Sequence, residues 1–217
     1  MNHSDPKWLS FLSKKIPWLG IPHISIILIT LQVFGFFLIL SSPGWMNTLA
    51  LLPGRALHGE LWRWITFLSI PVSYSPIWFI FALFFMYSIL NSIESLWGDF
   101  KTTFYILVSV ILTIVFSSVT GYPVTQTTDF NSTLFLAAAA LFPENEIQLY
   151  MVFPVKLKYL GWLTLAFLGY RFLQGEWIDR LFLLTIYSNY LLFFGPTLLQ
   201  RLKQWKRRKD YQKSFRR

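Results

Sequence analysis

The apolar residues of this chain are gathered into long, nearly uncharged blocks, and that arrangement constrains its fold more than any other feature. The first block, 24–40, contains no charged residue, and comparable blocks recur to residue 199. Blocks of this length and composition match the hydrocarbon core of a bilayer, about 30 Å thick. Charged residues make up only 13% of the chain, against about 25% in soluble domains. So little charge cannot coat a water-facing surface. The reading is a multi-pass, all-α membrane protein.

Six spans are expected, at 24–40, 76–93, 103–119, 130–142, 157–172 and 177–199. Lys14 and Lys15 precede the first, and Ser41-Ser42-Pro43-Gly44 follows it without a small-x-small cleavage site, so it reads as an uncleaved helix. Residues 45–70 mix Pro53, Gly54, Arg55, His58, Glu60, Trp62 and Arg63, too interrupted to span. Tryptophan beside arginine suits the bilayer interface. The fourth span is short, 13 residues or about 20 Å, and begins in a threonine-rich strip ending at Asp129. Its polar start must face protein or water rather than lipid.

Charge orients the model of six spans. One side holds fifteen basic residues, nine of them in the tail from Arg201 to Arg217, and the other holds Arg55, Arg63, Arg171 and Arg180. The positive-inside rule then puts both termini in the cytoplasm. The expected organisation is a cytoplasmic segment at 1–23, a membrane domain at 24–199 and a basic cytoplasmic tail at 200–217. The net charge of +9 is thereby explained by topology and by anionic lipid at the tail rather than by nucleic acid. The absence of cysteine excludes disulfides, thiol catalysis and thiolate metal sites. His23 and His58 are too few ligands for a metal, so no metal or cofactor is expected.

Several strings together resemble the rhomboid and Derlin superfamily. They are Gly59-Glu60-Leu61-Trp62-Arg63 after span one, Glu94-Ser95-Leu96-Trp97-Gly98 at the end of span two, Phe104-Tyr105, and the short fourth span. Phe85-Met86-Tyr87-Ser88 is similar to Derlins. Leu134-Phe135-Leu136-Ala137, Pro154-Val155-Lys156-Leu157-Lys158 and Asn189-Tyr190-Leu191-Leu192 are similar to a bacterial rhomboid-like branch. The resemblance covers about residues 24–199. It implies a six-helix rhomboid-like bundle with an interfacial first loop, in a bacterial inner membrane, with Glu60, Trp62, Arg63, Glu94 and Gly98 as structural motif residues.

Active rhomboids carry Gly-x-Ser-Gly at the start of span four and a histidine on span six. Here the first reads Phe130-Asn131-Ser132-Thr133, and no histidine follows His58. Span six offers Ser188 and Asn189 instead. The positions on span two that help bind the oxyanion fall near Trp78 and Ala82. A serine without a base has no route to alkoxide near neutral pH. The chain is therefore expected to be a pseudoprotease with Asn131, Ser132, Ser188 and Asn189 as degenerate positions. Its expected function is to bind transmembrane segments of client proteins for quality control, retention or delivery. Asn131, Thr133, Thr128 and Trp78 are the candidate client pocket.

Other readings stand beside these. Asp129, Asn131 or Ser132 would equally serve as a helix cap. Arg63 would equally bind loop carbonyls or Glu60. An unconventional intramembrane serine protease using Ser132 is the enzyme alternative, and a small transporter is the third. Transport would call for paired ionisable groups at mid-bilayer and a repeat, and neither is visible.

Overall fold

The computed structural model describes the backbone of residues 7–149 and 153–214. The protein is mostly helical. A short helix α1 (Lys7–Lys15) and a 3-10 turn (Pro17–Leu19) lead into α2 (Ile24–Ser41). The following loop carries three small helices, α3 (Trp45–Leu49), α4 (Pro53–Leu57) and α5 (Arg63–Thr66), and a 3-10 turn (Phe67–Ser69). Then come α6 (Pro76–Thr120), α7 (Thr128–Leu141), α8 (Leu157–Gln174) and α9 (Trp177–Ser214). Among the described residues, two helical stretches, Pro17–Ser41 and Pro76–Thr120, are long and apolar enough to cross a membrane.

α6 is two helical arms rather than one rod. Its 45 residues would extend about 67 Å if straight. Yet Thr127, seven residues past its end, bonds through Oγ1 to the carbonyl of Ile70, six residues before its start, at 3.0 Å. The intervening chain reaches at most about 45 Å. The reversal falls at Gly98, whose φ of 75° and ψ of 170° leave the helical region. Only glycine takes that conformation without a steric penalty. Arms 76–97 and 99–120 result. Trp97 and Tyr105, eight residues apart, bring their rings to 5.7 Å across the turn.

The termini of α6 follow local chemistry. Pro76 at its first position fits where an amide donor is not needed, and Gly121, at φ 75°, closes its end with N–H donated to Ser117 O. α7 ends just before Pro143, which disfavours helix in the residue ahead of it.

α2 packs along the first arm: Phe36 stacks on Phe79 at 4.1 Å, and Ser25 Oγ donates to Glu94 Oε2 at 2.8 Å. α9 packs along the second arm, with Phe182 on Phe116 at one end and Phe193 on Tyr105 at the other, where Phe194 also stacks on Trp97 at the end of the first arm. α7 fills the centre because its alanine run is small: Ala137 and Ala138 are buried completely or nearly so. A backbone bridge, Leu51 to Val124, ties the first loop to the strip before α7.

Two features depart from the sequence reading. The connection between α7 and α8 holds an antiparallel pair of short strands, β1 (Glu146–Leu149) and β2 (Phe153–Lys156), which no sequence signal indicated. The expected boundary at 199/200 falls inside α9, which runs on to Ser214 with Pro196 within it. The basic side chains of the tail, and His3, lie outside the described residues.

Candidate functional site

The site forms where the polar start of α7 meets the first arm of α6. A partly open cavity of about 210 Å³ lies between Ala82, Phe85 and Met86 of that arm and Thr128, Asn131 and Ser132 of α7. Asn131 Nδ2 donates weakly to Thr127 Oγ1 at 3.4 Å. Its Oδ1 is buried and has no hydrogen-bond partner among the described residues. An acceptor held dry in this way costs about 1–3 kcal/mol relative to a paired one.

The capping alternative is not what the structure uses. Thr127 is the N-cap residue of α7, and it makes no side-chain cap bond. Its hydroxyl instead donates to Ile70 O and so tethers α7 to the first loop. Asp129 sits in the first helical turn, where the helix's partial positive charge favours it. Its carboxylate pairs with Arg171 Nη1 of α8 at 2.5 Å.

The four expected pocket residues divide. Asn131 and Thr128 line the cavity together with Ser132. Thr133 does not: it is fully buried, its hydroxyl donates to Phe130 O, and its carbonyl accepts from Tyr105 Oη at 3.0 Å. Trp78 is exposed and lies beside Phe81, outside the cavity, one turn from Ala82.

On α9 the degenerate positions also separate. Ser188 is exposed and bonds to Thr185 O within its own helix. Asn189 is buried and donates to Tyr105 O at 3.0 Å and Ser109 Oγ at 2.6 Å, joining α9 to the second arm of α6. The side chain that faces Ser132 is Tyr187. Its buried hydroxyl has no partner of good hydrogen-bond geometry among the described residues. A phenol, with an ordinary pKa of about 10, is protonated at neutral pH and cannot take a proton from serine.

Sequence reasoning missed Tyr187, the Asp129–Arg171 pair, and a second contact nearby, Tyr122 Oη donating to Asp179 Oδ1 at 2.8 Å. Burial, reinforced by Asp179, pushes the Tyr122 phenol well above its usual range. Aspartates and arginines beside the apolar blocks were visible signals. Which of them meet depends on helix rotation, which one sequence does not set.

The motif residues form two structural clusters. Arg63 is only 1% exposed. Its Nη1 donates to the carbonyls of Asn47, Thr48 and Ala50 at 2.6, 2.9 and 2.8 Å, and its Nε to Glu60 Oε2 at 2.5 Å. A planar guanidinium collects these acceptors as no other side chain would. Trp62 points outward, half exposed. At the opposite end, Glu94 holds Ser25, and Thr102 Oγ1 donates to Gly98 O at 3.0 Å across the reversal.

No family model matches the chain, and no curated protein or solved structure does either.

Proposed function

We propose that this protein is a six-span, rhomboid-like membrane protein without protease activity that binds transmembrane segments of client proteins. The observation that carries the reading is the cavity at the start of α7, with an unpaired buried acceptor on Asn131 beside Ser132 and Thr128. A polar side chain on a client helix would complete that acceptor's hydrogen bonding.

The bilayer setting draws support from the surface. α8 is apolar along most of its length, yet only Leu157 and Gly161 of its 18 residues are buried. Phe34, Phe37 and Leu40 of α2 are each 60% exposed or more. Water-soluble proteins rarely expose apolar surface on this scale. α2, the two arms of α6, α7, α8 and α9 supply six helical segments at the expected spans. α7, of 14 residues, is about 21 Å long and sits among the others, which suits a span too short to face lipid throughout. The basic bias then favours cytoplasmic termini, and the resemblance a bacterial inner membrane. Tyr187 in the place opposite Ser132 supports inertness, because it supplies no general base.

The test is photocrosslinking in membranes from a probe at Ala82, at the cavity wall. Wild type should capture membrane proteins, and Asn131→Leu with Ser132→Leu should reduce capture at least tenfold at unchanged melting temperature. Equal capture by the folded double variant sinks the reading. Serine-directed fluorophosphonate should leave the protein unlabelled. Labelling lost in Ser132→Ala would establish the protease instead.

A further inference from the structure

The short helix α1 is tied to the bundle through Leu9, which is buried in the hydrophobic core. At about 100° per residue, Phe11 lies about 200° round the helix from Leu9. It is 64% exposed. Lys14 and Lys15, three and four residues further on, share the face of Phe11 and are exposed as well. The 3-10 turn that follows presents Trp18, 79% exposed. Two large rings and two ammonium groups therefore stand on the outside of α1 and its turn. Lysines in a last turn also complement the helix's partial negative charge, but that leaves the exposure of Phe11 and Trp18 unexplained.

Position and charge together select the occupant. Gly20 lies against the backbone of Phe100, where an added Cβ would meet Phe100 N at 3.0 Å, and Ile21 N–H donates to Thr103 Oγ1 at 3.1 Å. Trp18 is thus held beside the reversal at Gly98, at the level where the arms of α6 end. Exposed apolar surface continues from there through Ile21 to Ile27, Phe34 and Phe37 of α2, the face read above as lipid-facing. Aromatic rings at such a level, flanked by lysines, are the composition of a helix lying in a bilayer surface. Residues 1–59 carry Lys7, Lys14, Lys15 and Arg55 against a single acid, Asp5. On the neighbouring arms of α6, Glu94 is buried and accepts from Ser25, and Asp99 is followed within two residues by Lys101. The patch keeps its positive charge.

We propose that α1 and the turn after it form a surface anchor for anionic phospholipid, with Phe11 and Trp18 in the headgroup layer and Lys14 and Lys15 on phosphates. The anchor sets the depth of the Gly98 end of the bundle. The inference rests on the bundle spanning a bilayer, and it is independent of client binding at Asn131. Each lysine near an anionic surface contributes about fivefold in partitioning.

The test uses the full chain in nanodiscs, with Phe11→Cys carrying a nitrobenzoxadiazole label in this cysteine-free background. In equal phosphatidylglycerol and phosphatidylcholine the label should emit to the blue and be quenched by lipids bearing a nitroxide near the headgroup. Lys14→Gln and Lys15→Gln should each lower the ratio of lipid-embedded to water-exposed label about fivefold. In phosphatidylcholine alone the ratio should be lower from the start, and the lysine variants should not change it. Trp18→Cys, labelled in the same way, repeats the reading with Phe11 intact. A label at both positions that aqueous iodide quenches equally in the two kinds of disc overturns the proposal. Full embedding in the double glutamine variant overturns it too. Shielding from both iodide and nitroxide lipid overturns it in favour of a protein contact. Release of the chain from membranes by alkaline carbonate would instead defeat the bilayer reading, a result separable from an inserted chain whose label at 11 stays in water.

Discussion

Gly35 of α2 lies so close to Ser69 that a Cβ added at 35 would come within 1.8 Å of the Ser69 carbonyl oxygen. The obstacle is backbone, in the 3-10 turn that brings the chain from the first loop towards α6, so no rotamer change relieves it. Gly35→Ala should lower stability by about 1–3 kcal/mol or more, as overpacking does. Gly54→Ala meets nothing within 4 Å and should be neutral or gain up to about 1 kcal/mol in its helix. Melting curves in one detergent compare the two.

Arg63 holds the first loop through three carbonyls and Glu60. Arg63→Ala strands the three loop carbonyls and should cost about 3 kcal/mol or more, since each buried acceptor left unpaired costs about 1–3 kcal/mol. Arg63→Lys should recover only part of that, because one ammonium cannot span the same fan of acceptors. Recovery to wild-type melting by lysine would show that charge alone matters here.

Asn189 and Ser188 are neighbours with opposite consequences. Asn189→Leu leaves Tyr105 O and Ser109 without their partner and should cost about 1–3 kcal/mol. Ser188→Ala, on an exposed face, should change the melting temperature little. The comparison separates a structural hydrogen bond from any relic of catalysis at these positions.

Glu144 makes the outer link between the α7–α8 connection and α8 dependent on pH. Hydrogen bonds from Lys158 and Lys156 hold its carboxyl below the ordinary carboxylate value. A depressed folded pKa means the contribution is present above the unfolded value, about 4.3, and is lost as pH falls through the folded one. The melting-temperature difference between wild type and Glu144→Gln should therefore persist at pH 6 and fade as the pH falls below the ordinary carboxylate value. The group is solvent-exposed, so the difference should be small and should shrink with salt.

The natural chain has no cysteine, so single cysteines report topology without background. Cysteines at Lys15 and Asp99 should resist a membrane-impermeant maleimide in intact cells. Those at Gln126 and Glu176 should react. A reversed pattern at any of these sites would break the six-span arrangement.

Much of the fold was legible from residue order alone. Blocks of apolar residues set where helices form, because the lengths and the bounding prolines and glycines act within a few residues of themselves. The reversal at Gly98 follows Glu94 in a motif that reads as a span end, and Arg63 announced a cluster of carbonyls by being a cation in a loop of few charges. The expected caps of α7, Asp129, Asn131 and Ser132, lie inside the helix, which starts at Thr128, and the residue ahead of it, Thr127, gives its hydroxyl to Ile70 O, far away in sequence. Helix rotation was equally out of reach. Asn189 turns towards Tyr105 and Tyr187 towards Ser132 because Phe182, Ile186 and Phe193 settle α9 against α6. Aromatic residues surround α9 on several faces, so no single stripe in the sequence specifies that rotation. The pairing of Asp129 with Arg171 and the cavity beside Asn131 both depend on how packed helices are turned. They are properties of the tertiary structure, decided by side-chain contacts between segments that are distant along the chain.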